Sequence, residues 1–236
     1  MNRYLAASCL LLCLMAGVAH GQKRQKSGRD PLEVRPDSSG VNDHRNRWAF
    51  GLNGGYSYRL PNAGTRSDTP YSKYLKALKS GFSLGADVHH FVWPHVGLGL
   101  KYNIYKSKSE FNPANRDDIT IQFVGPSVVY QSPLGQSKTS ILAGYAMGYQ
   151  SYKNNARAAG QNYSLKGNAI GWALSLGLEQ KLSNHFALNL SGACYLGTSY
   201  EFKKESAGRT QTIKLSKENF ENLSRAELTL GLKFLQ

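Results

Sequence analysis

Seven charged residues stand singly on alternate positions of otherwise apolar or small-residue stretches: Asp87, Lys101, Glu179, Lys181, Arg225, Glu227 and Lys233. Charges are rarely buried without a partner. Two chemistries fit such a set. It could form a proton or ion path through an interior, or a satisfied polar network that fixes the interior's shape. The network is the expected one. Register narrows it further. If Trp93-Pro94-His95 is a tight turn, the flanking stretches pair so that Asp87 faces Lys101. A slip of one residue would set apolar faces against polar ones. A turn at Ser183-Asn184-His185 likewise sets Glu179 opposite Asn189.

Nucleophilic and metal chemistry have little footing. His89 and His90 are adjacent, so on an extended chain their rings point to opposite faces. No metal-ligand spacing, phosphate loop or nucleophile motif is present, and neither a cofactor nor an enzymatic activity is expected.

The elements that must hold those charges repeat with a period of two. Eight stretches alternate large apolar residues with small or polar ones: 48–58, 82–92, 96–104, 119–123, 141–149, 170–178, 186–196 and 226–234. In the first, Trp48, Phe50, Leu52, Tyr56 and Tyr58 alternate with Ala49, Gly51, Asn53, Gly55 and Ser57. In the fourth, Ile119, Ile121 and Phe123 are assigned to the apolar face and Gln122 to the other, with a bulge or kink expected at Gly125-Pro126. A soluble sandwich hides its large residues inside. Here the other face is Gly, Ala, Ser, Asn and Gln with a few charges. Small residues lining a narrow interior and large ones facing out describe an all-β fold, an eight-stranded antiparallel up-and-down transmembrane β-barrel. About ten residues is the length a tilted strand needs to cross the hydrocarbon layer.

Aromatic residues gather at strand ends, as an interface girdle requires. Trp48, Trp93, Tyr130, Phe186 and Phe234 fall at one end; Tyr56, Tyr58, Phe82, Tyr105, Tyr149 and Tyr200 fall at the other. Connections alternate as well. Those at 93–95, 132–137 and 183–185 are short, and those at 60–79, 111–118, 154–167 and 204–221 are longer. Short periplasmic turns and long extracellular loops are the outer-membrane pattern, which puts both termini in the periplasm.

The 236 residues carry Lys+Arg 29 against Asp+Glu 15, a net charge of +14, with three cysteines. That composition excludes a collagen, a disulfide scaffold and an acidic disordered chain. Met1–Gly21 reads as a secretory signal peptide: Arg3, an apolar run from Leu5 to Val18, and small residues at Ala19 and Gly21 before a cut ahead of Gln22. Cleavage leaves Cys194 as the mature chain's single cysteine. Residues 22–47 form a basic, Pro- and Ser-containing tail with too little apolar surface to fold alone. The barrel then occupies 48–236. The long loops hold a net +8 of the mature chain's +13, through Arg66, Lys73, Lys76 and Lys79 in the first, Arg157 and Lys166 in the third, and Arg209 and Lys214 in the fourth. Loop cations at that height would be drawn to the phosphates of lipopolysaccharide, or would present a protein-binding surface. Nucleic acid is not an expected partner of a barrel with a lipid-facing belt.

Over Trp48 to Gln236 the sequence resembles the small eight-stranded outer-membrane β-barrels of Gram-negative bacteria, the OmpA/OmpX type including PorT-like members. The final stretch, Arg225-Ala-Glu-Leu-Thr-Leu-Gly-Leu-Lys-Phe234, resembles the family's carboxy-terminal signal, with Leu235 and Gln236 following the usual terminal aromatic. The resemblance implies recognition of residues 225–234 by the outer-membrane assembly machinery. Its roles range over scaffolds, narrow pores and secretion components, because fold does not fix function.

Overall fold

A computed structural model describes residues 47–60, 70–135, 137–206, 209–215 and 220–236. The expected signal peptide at 1–21, nearly all of the expected tail at 22–47, and Arg66 lie outside the described residues.

Eleven strands and one helix are present among them: β1 (Trp48–Arg59), α1 (Pro70–Lys79), β2 (Ser80–Trp93), β3 (Val96–Asn112), β4 (Asn115–Pro133), β5 (Thr139–Ala158), β6 (Gln161–Lys181), β7 (Phe186–Ser199), β8 (Glu201–Ser206), β9 (Arg209–Lys214), β10 (Glu221–Asn222) and β11 (Arg225–Leu235). The helix is too short to cross a membrane. Strands β1 to β7 pair in sequence order, β7 pairs with β11, and β11 returns to β1, so eight strands close a ring. The closing seam runs from Ala49↔Leu235 to Arg59↔Arg225. Below it, Trp48 and Gln236 exchange backbone hydrogen bonds of 2.8 and 2.9 Å.

The register sets the shape. One row of partners runs Ala49, His89, Gly99, Ser127, Ala146, Ala173, Tyr195, Arg225 and back to Arg59 on β1. The circuit returns ten residues from its start, so the shear is ten. At about 4.8 Å between strands and 3.3 Å per residue, that shear tilts the strands by about 40°. Trp48 and Tyr56 on β1 then lie about 20 Å apart along the axis, close to the height of an outer-membrane apolar band. Such a narrow, tilted ring leaves no room for a Cβ at some inward positions. On Gly99 a Cβ would sit 1.8 Å from the Val88 carbonyl oxygen.

The wall is uneven in height. β3, β4, β5 and β6 have 17, 19, 20 and 21 residues, against 12 in β1, 14 in β2 and β7, and 11 in β11. Much of what reads as long loop is therefore strand. β3 and β4 turn at Pro113-Ala114, and β5 and β6 at Ala159-Gly160, where both φ angles are positive. β8 extends the β7 side of the wall by pairing with the top of β6, and β9 folds back on β8.

Face assignments hold on every strand but the fourth. Ile119, Ile121 and Phe123 are buried inside, while Val124, Val128 and Tyr130 face out, and Gln122 with them. At Gly125-Pro126 there is no register shift: the β3–β4 ladder passes through both residues, while the β4–β5 ladder skips them and resumes in the same register. The stretch misleads because the upper lumen is apolar, so large residues lie on both faces.

Candidate functional site

The lumen is filled in tiers. At the end that holds Trp48 and Gln236, Ala49, Ala187 and Leu235 pack together with Phe91. Above them Lys233 Nζ meets Glu179 Oε2 at 2.9 Å, and Gln131 Nε2 donates to Glu179 Oε1 at 2.9 Å. Glu179 is the register partner of Asn189, as the turn arithmetic requires. Lys181 is exposed at the rim rather than interior.

Asp87 and Lys101 are register partners too. They make no close ion pair. Asp87 instead sets Oδ2 3.2 Å from His89 Nδ1, and His89 Nε2 lies 3.0 Å from Ser127 Oγ. This Asp–His–Ser relay has the residue types of a hydrolytic triad. Its surroundings oppose that use. All three residues line a cavity of only about 50 Å³, and the His89–Asp87 approach does not meet hydrogen-bond geometry. The space holds a few waters and no ester or amide substrate. Spacing along the chain hid the relay. Following the inward row from His89 through Gly99 to Ser127 would have exposed it.

Midway up, Phe123 meets Tyr195 edge-on at 5.3 Å between ring centroids. Tyr195 then lies under Arg225, whose guanidinium carbon is 4.1 Å from the ring centroid. Arg225 Nε donates to Glu227 Oε1 at 2.8 Å, and Arg225 Nη2 donates to Asn103 Oδ1 at 2.7 Å. Asn103 Nδ2 closes the circuit on Glu227 Oε2 at 2.9 Å, and Ser57 donates to Oε1 at 3.2 Å. Side-chain exposure is 0% for Arg225 and 1% for Glu227.

The mouth opposite the chain termini is closed by side chains whose alternation and loop position assigned them elsewhere. Tyr105 belongs inside, fully buried, and not in the girdle. It joins Tyr74, Leu78, Ile119, Ile121, Tyr152, Phe202 and Leu223 in one apolar cluster. Tyr74 and Leu78 come from α1, so part of the first long loop folds back as a helix over the opening. Hydroxyls on β3 hold its end: Ser107 donates to Leu78 O at 2.7 Å and Tyr105 to Lys79 O at 3.0 Å. The Tyr74 hydroxyl donates to Asp117. At the rim Arg59 binds Glu221 at 2.7 Å and the Asn222 carbonyl at 3.2 Å. Tyr56, Tyr58, Phe82 and Tyr149 are exposed below this level, and Trp48, Trp93, Tyr130, Phe186 and Phe234 are exposed at the other end, two outward belts.

The family model for the outer membrane protein beta-barrel domain matches residues 9–234. The chain belongs to the outer-membrane β-barrel family. Among solved structures, the Neisserial surface protein A barrel is 13% identical, covering 79% of this chain and 96% of its own, with a TM-score of 0.53. A major outer membrane protein from Thermus thermophilus is 9% identical, covering 80% and 99%, also at 0.53. OprG from Pseudomonas aeruginosa is 13% identical, covering 80% and 97%, at 0.47. No curated protein matches significantly. The family carries the barrel to the outer membrane, so its belt meets lipid.

Beyond that belt, at the end that carries α1, the face of this outer-membrane barrel is basic and polar. Lys73 and Lys76 are exposed on α1, and Lys79 is half-buried with its ammonium 6.0 Å from the Tyr58 ring centroid. Arg157 donates to the Gly160 and Pro113 carbonyls, both at 3.3 Å. Lys166 holds both Glu205 oxygens at 2.8 Å. Arg209 and Lys214 are exposed on β9. The hairpins of β3–β4, β5–β6 and β8–β9 enclose a cleft of about 840 Å³ there.

Proposed function

We propose that the protein is a sealed outer-membrane scaffold whose working surface is its extracellular face. The observation that carries this reading is the tiered lumen. Arg225 pairs with Glu227 and Lys233 with Glu179, and an apolar plug closes the mouth. A continuous water column would strip Arg225, Glu227, Glu179 and Lys233 of their partners in a low dielectric. Basic residues above the belt would be attracted to the phosphates of lipopolysaccharide. Both termini lie on the periplasmic side in this reading, and residues 22–47 form a tail there after a signal peptide is removed. The lumen offers no room for catalysis at Ser127.

Planar-bilayer recording of the mature protein tests the reading. Silence at the single-channel level is the expected result. Discrete, reproducible conductance would overturn it in favour of a narrow pore. Affinity purification from native membranes tests the remaining alternative, membership of a PorT-like secretion machine, which recovery of a stoichiometric set of secretion proteins would establish.

A further inference from the structure

We propose that the outward cleft on the tall side of the barrel binds a phosphorylated saccharide, the headgroup and inner sugars of an outer-leaflet glycolipid. This rests on the extracellular face being the working surface, and supplies its ligand and residues.

The cleft is built by register. One cross-strand row runs Glu110, Arg116, Arg157, Asn162 over β3 to β6. Arg116 and Arg157 are thus direct partners, and like charges so opposed destabilise a sheet. Among the described residues neither forms an ion pair, although Glu110 on β3 is Arg116's other cross-strand partner. Arg157 donates only to backbone carbonyls, and Arg116 has no hydrogen bond or ion pair among the described residues. On the same wall Ser164 Oγ is buried without a partner. Nearer the membrane a second row sets Lys153, Lys166 and Lys203 side by side on β5, β6 and β8. Among the described residues only Lys166 of these has a carboxylate, Glu205.

The cleft's carboxylates, Glu110, Asp118 and Glu205, equal its arginines in number. Yet Arg116 and Arg157 make no ion pair with any of them, and the two guanidiniums side by side can take an external anion between them. Arginine pairs present planar forks suited to phosphate, and lysines present point charges. Asn162 and the orphan Ser164 hydroxyl can bind sugar hydroxyls, and Glu110 and Asp118 on the rim can accept from them. A volume near 840 Å³ suits a small saccharide and not a polymer surface. Height points to the membrane as its source. Lys153 and Arg157 share the outward face of Tyr149 in the girdle, about 10 and 20 Å above it along the axis. Those are the levels of glycolipid phosphates and of the sugars beyond them.

Isothermal titration of the refolded mature protein in detergent micelles would use three probes: lipopolysaccharide, the same material chemically dephosphorylated, and inositol hexakisphosphate. R116Q/R157Q should weaken lipopolysaccharide binding about tenfold or more, as losing two charge-assisted contacts requires. Dephosphorylation should weaken it comparably, and K138Q on a periplasmic turn should change nothing. A gel shift on boiling checks folding. If the double variant does not fold, R116Q alone, at a guanidinium with no partner to lose, carries the test. Unchanged affinity in the arginine variants, or equal binding of dephosphorylated material, would overturn the proposal. So would inositol hexakisphosphate binding as tightly with the same arginine dependence, which would assign the cleft to a free anion. Silent bilayers with arginine-independent binding would remove this site and leave the sealed scaffold standing; conductance with arginine-dependent binding would do the reverse.

Discussion

Replacing Glu227 by alanine strands three donors at once. Arg225 Nε, Asn103 Nδ2 and Ser57 Oγ all spend hydrogen bonds of 2.8 to 3.2 Å on that carboxylate. Arg225 would keep its 2.7 Å bond to Asn103 Oδ1 and its place over the Tyr195 ring. Those two contacts limit the loss. Breaking one side of a buried ion pair costs about 3–5 kcal/mol, and the residual partners hold this case near the lower half of that range. With a urea slope of about 2 kcal/mol per molar, the unfolding midpoint should fall by roughly 2 M. The assay is equilibrium urea unfolding of the mature protein in phospholipid vesicles, followed by tryptophan fluorescence and by the boiling shift. E227L/R225M removes both charges and should recover most of the loss, because buried pairs exchanged for apolar groups are often neutral. A wild-type midpoint for Glu227→Ala, or a double variant worse than either single one, would refute the network as described.

Three further outcomes follow from the lumen. In a double-mutant cycle with D87A and K101A, coupling should stay under about 1 kcal/mol, since each charge meets the other only at a distance and Asp87 lies against His89. Urea unfolding of the four proteins checks it. Gly99→Ala should cost about 3 kcal/mol or more or abolish folding, because its Cβ would meet a backbone carbonyl at 1.8 Å. Gly144→Ala, whose neighbour at 2.5 Å is the rotatable Ser175 hydroxyl, should cost far less in the same boiling-shift and urea assays. A fluorophosphonate probe should leave Ser127 unlabelled in the folded barrel, judged by mass spectrometry of the intact protein; stoichiometric labelling would reopen hydrolysis at the Asp87–His89–Ser127 relay.

Alternation alone reached the ring of eight strands because each lipid-facing stretch has one chemical environment outside and another inside. It failed where that contrast vanishes. At Ile119, Ile121 and Phe123 the interior itself is apolar, and the period of two survives with its phase reversed. Tyr105 was misplaced for the same reason. Turn arithmetic recovered Asp87↔Lys101 and Glu179↔Asn189 because hairpin neighbours share a local register. Contacts across the lumen lie beyond such arithmetic. Lys233 with Glu179 and Arg225 with Asn103 join strands that no single hairpin connects, whereas His89 with Ser127 lay within reach of two successive hairpin registers. Helix α1 is written only in Tyr71, Tyr74, Leu75 and Leu78, spaced for one helical face but confined to a ten-residue basic segment.

The strand that completes the circle also supplies the interior's most demanding groups. Before β11 meets β1 it is a free edge, with Arg225, Glu227 and Lys233 along one face. Charges on an unpaired edge keep it from joining a foreign strand. Their partners are dispersed over the rest of the ring: Ser57 on β1, Asn103 on β3, Glu179 on β6. No half-zipped intermediate can satisfy all three. A barrel open at β1–β11 can keep the Arg225–Glu227 and Lys233–Glu179 pairs, but it lacks a paired edge and the Ser57 donor that the seam brings to Glu227. Opening the seam therefore breaks the β1–β11 ladder and the Ser57–Glu227 bond together, which gives β1 and β11 a joint leverage over lifetime in the membrane.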